Sequence, residues 1–222
     1  MFVGHYGVSF PAGGTGVRLP LWVWFLAVQW LDILFMTFLL IGVEKVRLVD
    51  GFTDTNALDL YFMPYTHGLV GALVMSAVFA VIVAAFFPAA RQPMALIVLA
   101  AASFSHWVLD LLMHTPDLPL YGDDGVKVGL GLWDHVVIGQ TLEFAVLILG
   151  TWLYLRSVRL TEKGARLVWV FVAFLMVVHL ASVFGPTPPS PEAFAVTALV
   201  GYVLFAVLAG TVERRAVIQN AV

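Results

Sequence analysis

The sequence contains no cysteine. Disulfides, thiolate metal ligands and a cysteine nucleophile are thereby excluded, while the redox compartment is left undetermined. Charge is scarce as well. Asp, Glu, Lys and Arg make up 11% of the 222 residues, against about 25% in soluble domains. The basic residues form no run, so the phosphate footprint of a nucleic-acid-binding protein is missing and no nucleic-acid partner is expected. The opening residues MFVGHYGVSF lack the basic region of a signal peptide, so no cleavage is expected. Internal repeats and low-complexity segments are absent, and nothing divides the chain into a second domain.

Apolar residues fill the space left by these absences, at 61% of the chain with a mean hydropathy of +0.97. A membrane-crossing helix needs about 20 mostly apolar residues. Six stretches qualify, near 20–43, 67–88, 93–114, 132–155, 166–184 and 193–212. The expected fold is an all-α polytopic membrane bundle of about six transmembrane helices, a single integral-membrane domain over 1–222. Turn chemistry separates the spans: PAGGTG before the first, FFPAARQP after the second, FGPTPPSPE between the last two. Two connections are long: Glu44 to Tyr65, rich in Asp, and Thr115 to Gly131, rich in Gly, Pro and Asp.

Orientation follows from Lys and Arg in the flanks. Arg18, Arg91, Arg156, Arg159, Lys163, Arg166, Arg214 and Arg215 fall on one side, and Lys45, Arg47 and Lys127 on the other. This places both termini in the cytoplasm, with the two long acidic connections facing outward.

Ionisable groups within spans cost several kcal/mol unless paired or metal-bound, so each marks a candidate site. In SFSHWVLDLLMHTPD, His106, Asp110 and His114 recur every four residues and share one helical face. Imidazole and carboxylate are the ligands zinc takes in the absence of thiolate. The plainer reading is that Asp110 accepts hydrogen bonds from both histidines and staples helices. His67 opens the second span on the same outer side, as a ligand or as a cap. Asp32, mid-span in VQWLDILF, must protonate or find a cation. Glu143, deep in the fourth span, is read as ligand, general base or protonated staple. Asp134 and His135 start that span, where solvated capping is expected. His179 reads as a packing histidine, and Asp117, close after His114, as a turn residue to test. His5 sits on the side opposite the cluster unless residues 1–16 re-enter the membrane, as irregular backbone buried in protein does.

The order GHYG, QWLD, YTHG, SHWVLD, carrying His5, Asp32, His67, His106 and Asp110 and followed by His114, resembles the bacterial membrane-bound metal-dependent hydrolases. These are in turn similar to the zinc phospholipase C and P1 nuclease group. The resemblance covers roughly residues 1–120 and departs in several places, among them Ile33 and Leu34 where a second Asp often follows Asp32. Leu31 stands where that family has a proline, and Gly68 where it has a serine. The later His/acid pair is replaced by His135 and Glu143, eight residues apart.

The resemblance implies a zinc-dependent hydrolase of an ester or phosphoester in the bacterial inner membrane, with one or two divalent ions. Asp32, His67, His106 and Asp110 would hold the principal ion, and His5 and His114 a second. Glu143 or Asp134 would serve as base. The outer-leaflet position suggests membrane lipid as partner and a lipid-derived substrate. Two other classes stay open: a proton- or ion-coupled transporter or channel subunit, and a non-catalytic protein with a structural metal. Six histidines without an HH pair set aside the di-iron desaturases.

Overall fold

The computed structural model describes residues 1–217. Among these, helices α1 (Val3–Gly13), α2 (Leu21–Val28), α3 (Trp30–Leu40), α4 (Leu69–Phe86), α5 (Pro93–Met113), α6 (Val136–Ser157), α7 (Glu162–Phe184) and α8 (Pro191–Ala216) form the bundle. The only sheets among the described residues are two small antiparallel hairpins, β1 (Lys45–Leu48) with β2 (Leu58–Phe62), and β3 (Leu118–Pro119) with β4 (Lys127–Val128). Both lie in the long connections.

Helices α4 to α8 are each long and apolar enough to cross a membrane. At 1.5 Å per residue the 18 residues of α4 run about 27 Å, close to the hydrocarbon thickness. Their outward faces expose Val, Leu and Ile, as at Val74, Val81, Val170 and Val203. Such faces are satisfied by lipid, and the backbone hydrogen bonds are met within each helix. The chain is a multi-pass membrane protein.

Local chemistry sets the helix ends. Pro88 stops α4 at the preceding residue, and Pro93 and Pro191 take first-turn positions in α5 and α8, where no amide donor is needed. The Thr161 side chain accepts from Gly164 N at 2.9 Å to cap α7, and Ser190 from Ala193 N at 3.2 Å to cap α8.

One feature corrects the sequence reading and another bears on an alternative it left open. The stretch 20–43 is not one straight helix: α2 and α3 meet at Gln29 with a bend of 57° and count as a sixth span only as a broken pair. The N-terminal segment folds into the bundle. Helix α1, too short to cross, is buried and packs along α6. Its contact with α6 is backbone on backbone: a Cβ on Gly150 would strike the carbonyl of Gly7. Small residues permit this approach, as at other helix crossings in membranes. Tyr6 and Phe10 of α1 then pack on Phe25 of α2, and Tyr6 also meets Phe205 of α8. The first residue accordingly lies inside the bundle, with Met1 7% exposed, and not in cytoplasmic solvent.

Candidate metal centre

Four parts of the chain deliver the site. From α5 come His106 and Asp110, with His114 at its C-terminal cap; α3 gives Asp32, α1 gives His5, and the turn before α4 gives His67. The four-residue spacing on α5 sets His106, Asp110 and His114 on its inward face, where all three are buried. Asp110 is the hub. Its Oδ2 lies 3.1 Å from His106 Nε2, 3.6 Å from His67 Nε2 and 3.6 Å from His114 Nε2. Its Oδ1 faces His5 Nε2 at 3.2 Å and accepts from the Met1 amino group. His5 and His114 therefore reach different oxygens of Asp110.

Asp32 closes the ring. Its Oδ1 is 3.4 Å from His67 Nε2 and 3.5 Å from His106 Nε2. Ligand atoms held about 2.0–2.1 Å from a tetrahedral zinc stand about 3.3 Å from one another. The contacts from Asp32 to His67 and His106, and from Asp110 to the same two histidines, run from 3.1 to 3.6 Å, within reach of that spacing. Two overlapping triads satisfy a metal-ligand geometry, His5–His106–Asp110 and Asp32–His67–His106, with His106 shared. His106 Nε2 is buried and has no hydrogen-bond partner among the described residues. An orphaned lone pair so placed fits a cation.

The far nitrogens explain why the near ones converge. His106 Nδ1 donates to the Val28 carbonyl at 2.7 Å, an end-of-helix oxygen at the α2–α3 bend. His67 Nδ1 meets Thr66 Oγ1 at 2.8 Å, and that hydroxyl donates to Glu44 Oε2 at 2.6 Å. Glu44 Oε1 accepts the Tyr65 and Thr66 amides. Burial raises the Glu44 carboxyl above its ordinary range, against the pull of these donors. His114 Nδ1 is 2.8 Å from Asp117 Oδ1, and the ring packs on Trp133 at 4.1 Å. In metal sites such partners fix tautomer and ring orientation. The Tyr202 hydroxyl donates to Asp32 Oδ2 at 2.9 Å, leaving Oδ1 to the histidines.

The two residues expected to act as base stand in different surroundings. Glu143 is buried at the site's edge, but its oxygens accept the amides of Phe2 (2.8 Å) and Gly4 (2.6 Å). It anchors the start of α1, whose first-turn amides have no helical partner. Asp134 is exposed in a short 3₁₀ turn and lies off the cavity wall, as does His135, because the fourth span begins at Val136 and not at 132. His179 is more than a packing residue: it lines the cavity and bonds Gln140 through Nε2. Glu44, Thr66 and Tyr202 are additions, and only Asp117 was flagged by its place after His114.

The site opens into a cavity of about 780 Å³, walled by α3, α7, α8 and the β1–β2 loop. That size lies within the range of about 300–1,000 Å³ usual for small-molecule sites. No family model, curated protein or solved structure matches the chain. The functional reading therefore rests on its own residues.

Proposed function

We propose that the protein is a membrane-embedded metal-dependent hydrolase acting on an ester or phosphoester of an amphiphile. One observation carries the reading. Histidine Nε2 atoms and two carboxylates converge in two overlapping triads that share His106, while the outer nitrogens of His67, His106 and His114 are each held by an acceptor.

Asp32, His67, His106 and Asp110 would hold the principal ion, and His5 and His114, each beside Asp110, would contribute to a second. A donor set of imidazole and carboxylate without thiolate suits zinc, with manganese and iron as alternatives. The ion would lower the pKa of a water and stabilise the negative charge that develops on the substrate oxygen. The chain's own residues do the rest. Tyr202 orients Asp32, Thr66 and Asp117 orient their histidines, and Glu143 holds α1 so that His5 reaches the site. The apolar wall of Phe35, Met36 and Met63 excludes bulk water.

The cavity favours chemistry over a purely structural metal, since a staple needs no access from outside. The resemblance implies a bacterial inner membrane, and Lys and Arg asymmetry supports an orientation with the hairpins outward, in which the cavity would open toward the outer leaflet and membrane lipid. The test is metal analysis of protein purified in detergent without chelator, paired with hydrolysis of ester and phosphodiester probes. Stoichiometric zinc, manganese or iron that His106→Ala abolishes, together with metal-dependent turnover, is expected. Metal content indifferent to His106→Ala would overturn the reading.

A further inference from the structure

The cavity wall is poor in positive charge. Among the described residues, none of the chain's Lys or Arg side chains lines it, and the Met1 amino group that does is already held by Asp110, whereas Asp32, Asp54, Asp110 and Glu143 all line it. Phosphate groups are ordinarily gripped by Arg or Lys, and a carboxylate-lined cleft raises the energy of an incoming anion. An ion in the centre would offset Asp32 and Asp110. It leaves Asp54, an exposed carboxylate of the lining, without an offset.

Beyond the centre stands a second polar station. Phe2 follows Met1 away from Asp110, and its ring packs at 5.7 Å on His179 of α7, which Phe144 flanks at 5.5 Å. With the Gln140 amide oxygen facing it, His179 Nε2 carries the proton and donates. Nδ1 is then a lone-pair acceptor, buried and without a partner among the described residues. A buried acceptor left unmet costs about 1–3 kcal/mol, so its natural complement is a donor on a ligand. The surrounding wall is apolar, with Val178, Phe194, Ala198 and Phe205.

We propose that the cavity takes an uncharged single-chain amphiphile, an acyl ester or amide whose head carries a hydroxyl or N–H that His179 Nδ1 accepts. This rests on the hydrolase reading for what happens to the ligand, but not for its binding. For an ester, the oxygen of water bonds to the acyl carbon and the acyl C–O bond breaks. A proton passes to the departing alcohol, giving a carboxylic acid and an alcohol with no other reactant.

The experiment compares two probes on the purified full-length protein in detergent. They are a non-hydrolysable ether analogue of a monoacylglycerol and a lysophosphatidate of the same chain length. The uncharged probe is expected to bind at least tenfold tighter. His179→Phe should weaken it about tenfold, as expected for one buried hydrogen bond. His179→Asn, which keeps an acceptor, should recover most of the loss. Equal or tighter binding of lysophosphatidate overturns the inference, and that comparison needs no variant to fold. An unchanged affinity in a folded His179→Phe protein overturns the role of His179. Metal-loaded protein that binds the uncharged probe with this preference but turns over no ester supports the inference and counts against the hydrolase reading alone.

Discussion

Thr66→Val tests whether the site is built to hold a metal, because it removes one hydroxyl and keeps the side-chain shape. The Thr66 hydroxyl has a single proton. It lies 2.6 Å from Glu44 Oε2 and 2.8 Å from His67 Nδ1. Glu44 already accepts two amides on its other oxygen, so the carboxylate takes the hydroxyl proton as well. Oγ1 must then accept from His67, which places the ring proton on Nδ1 and leaves Nε2 bare toward Asp32 and Asp110. Valine breaks that chain in two ways. The ring loses its orienting partner, and a buried N–H is left unmet at about 1–3 kcal/mol. Loss of such an outer partner weakens metal affinity about 10- to 100-fold, or about 1.4–2.7 kcal/mol. Chelator competition on detergent-purified protein measures it, with circular dichroism and gel filtration confirming the fold. A folded Thr66→Val protein whose metal affinity stays within twofold of wild type would refute the argument that Glu44 and Thr66 set the ligand tautomer.

Other expectations follow from the same contacts. Tyr202→Phe should lower metal affinity by about 1.5–3 kcal/mol at most, the range for a hydrogen bond to a charged group, through Asp32 and without unfolding the protein; chelator competition reads it. Gly150→Ala should destabilise by about 1–3 kcal/mol, since its Cβ would collide with the Gly7 carbonyl and push α1 off α6. A lower unfolding temperature together with weakened metal binding through His5 is the expected pair of results. Asp134→Asn should leave metal content and turnover unchanged, because that carboxylate is exposed and away from the cavity. As the chain has no cysteine, Asp54→Cys creates a unique thiol. Membrane-impermeant maleimide should label it from outside intact cells, and labelling only after lysis would reverse the proposed orientation.

How much of this was legible depends on whether a feature is local in sequence. The α5 stripe was, because a four-residue period maps directly onto one helical face. So were the helix ends at Pro88, Pro93 and Pro191, where the residue itself forbids or favours the turn. Asp32 and Glu143 stood out equally as carboxylates in apolar runs, yet they ended in different roles. Nothing near Glu143 in sequence reveals that the first turn of α1 will present two amides to it. The support of His67 from Glu44 spans 22 residues of loop, and that of Asp32 from Tyr202 spans 170, so no periodicity could pair them. His5 could be read either way, because its placement depends on a glycine contact between α1 and α6.

The bend at Gln29 is the least legible feature and the one on which the centre most depends. No Pro or Gly marks it; the run LAVQWLDI reads as continuous helix apart from one amide side chain. In hydrocarbon a broken helix must find partners for the backbone groups it frees, which is why such breaks occur inside protein or beside cavities. Here the freed Val28 carbonyl is taken by His106 Nδ1, and one turn later α3 carries Asp32 to that ring's opposite nitrogen. The break and the ligand thus satisfy each other: the histidine proton meets the orphaned oxygen, and that bond turns the histidine's lone pair toward Asp32 and Asp110. His106→Ala therefore removes a ligand and also leaves a buried carbonyl unmet, whereas His106→Asn keeps an amide that can donate toward Val28. Metal loss in both variants, with better folding in the Asn protein, is expected from thermal unfolding in detergent. Equal stability of the two would show that the bend holds without the histidine, and that the broken span is not coupled to the centre through this hydrogen bond.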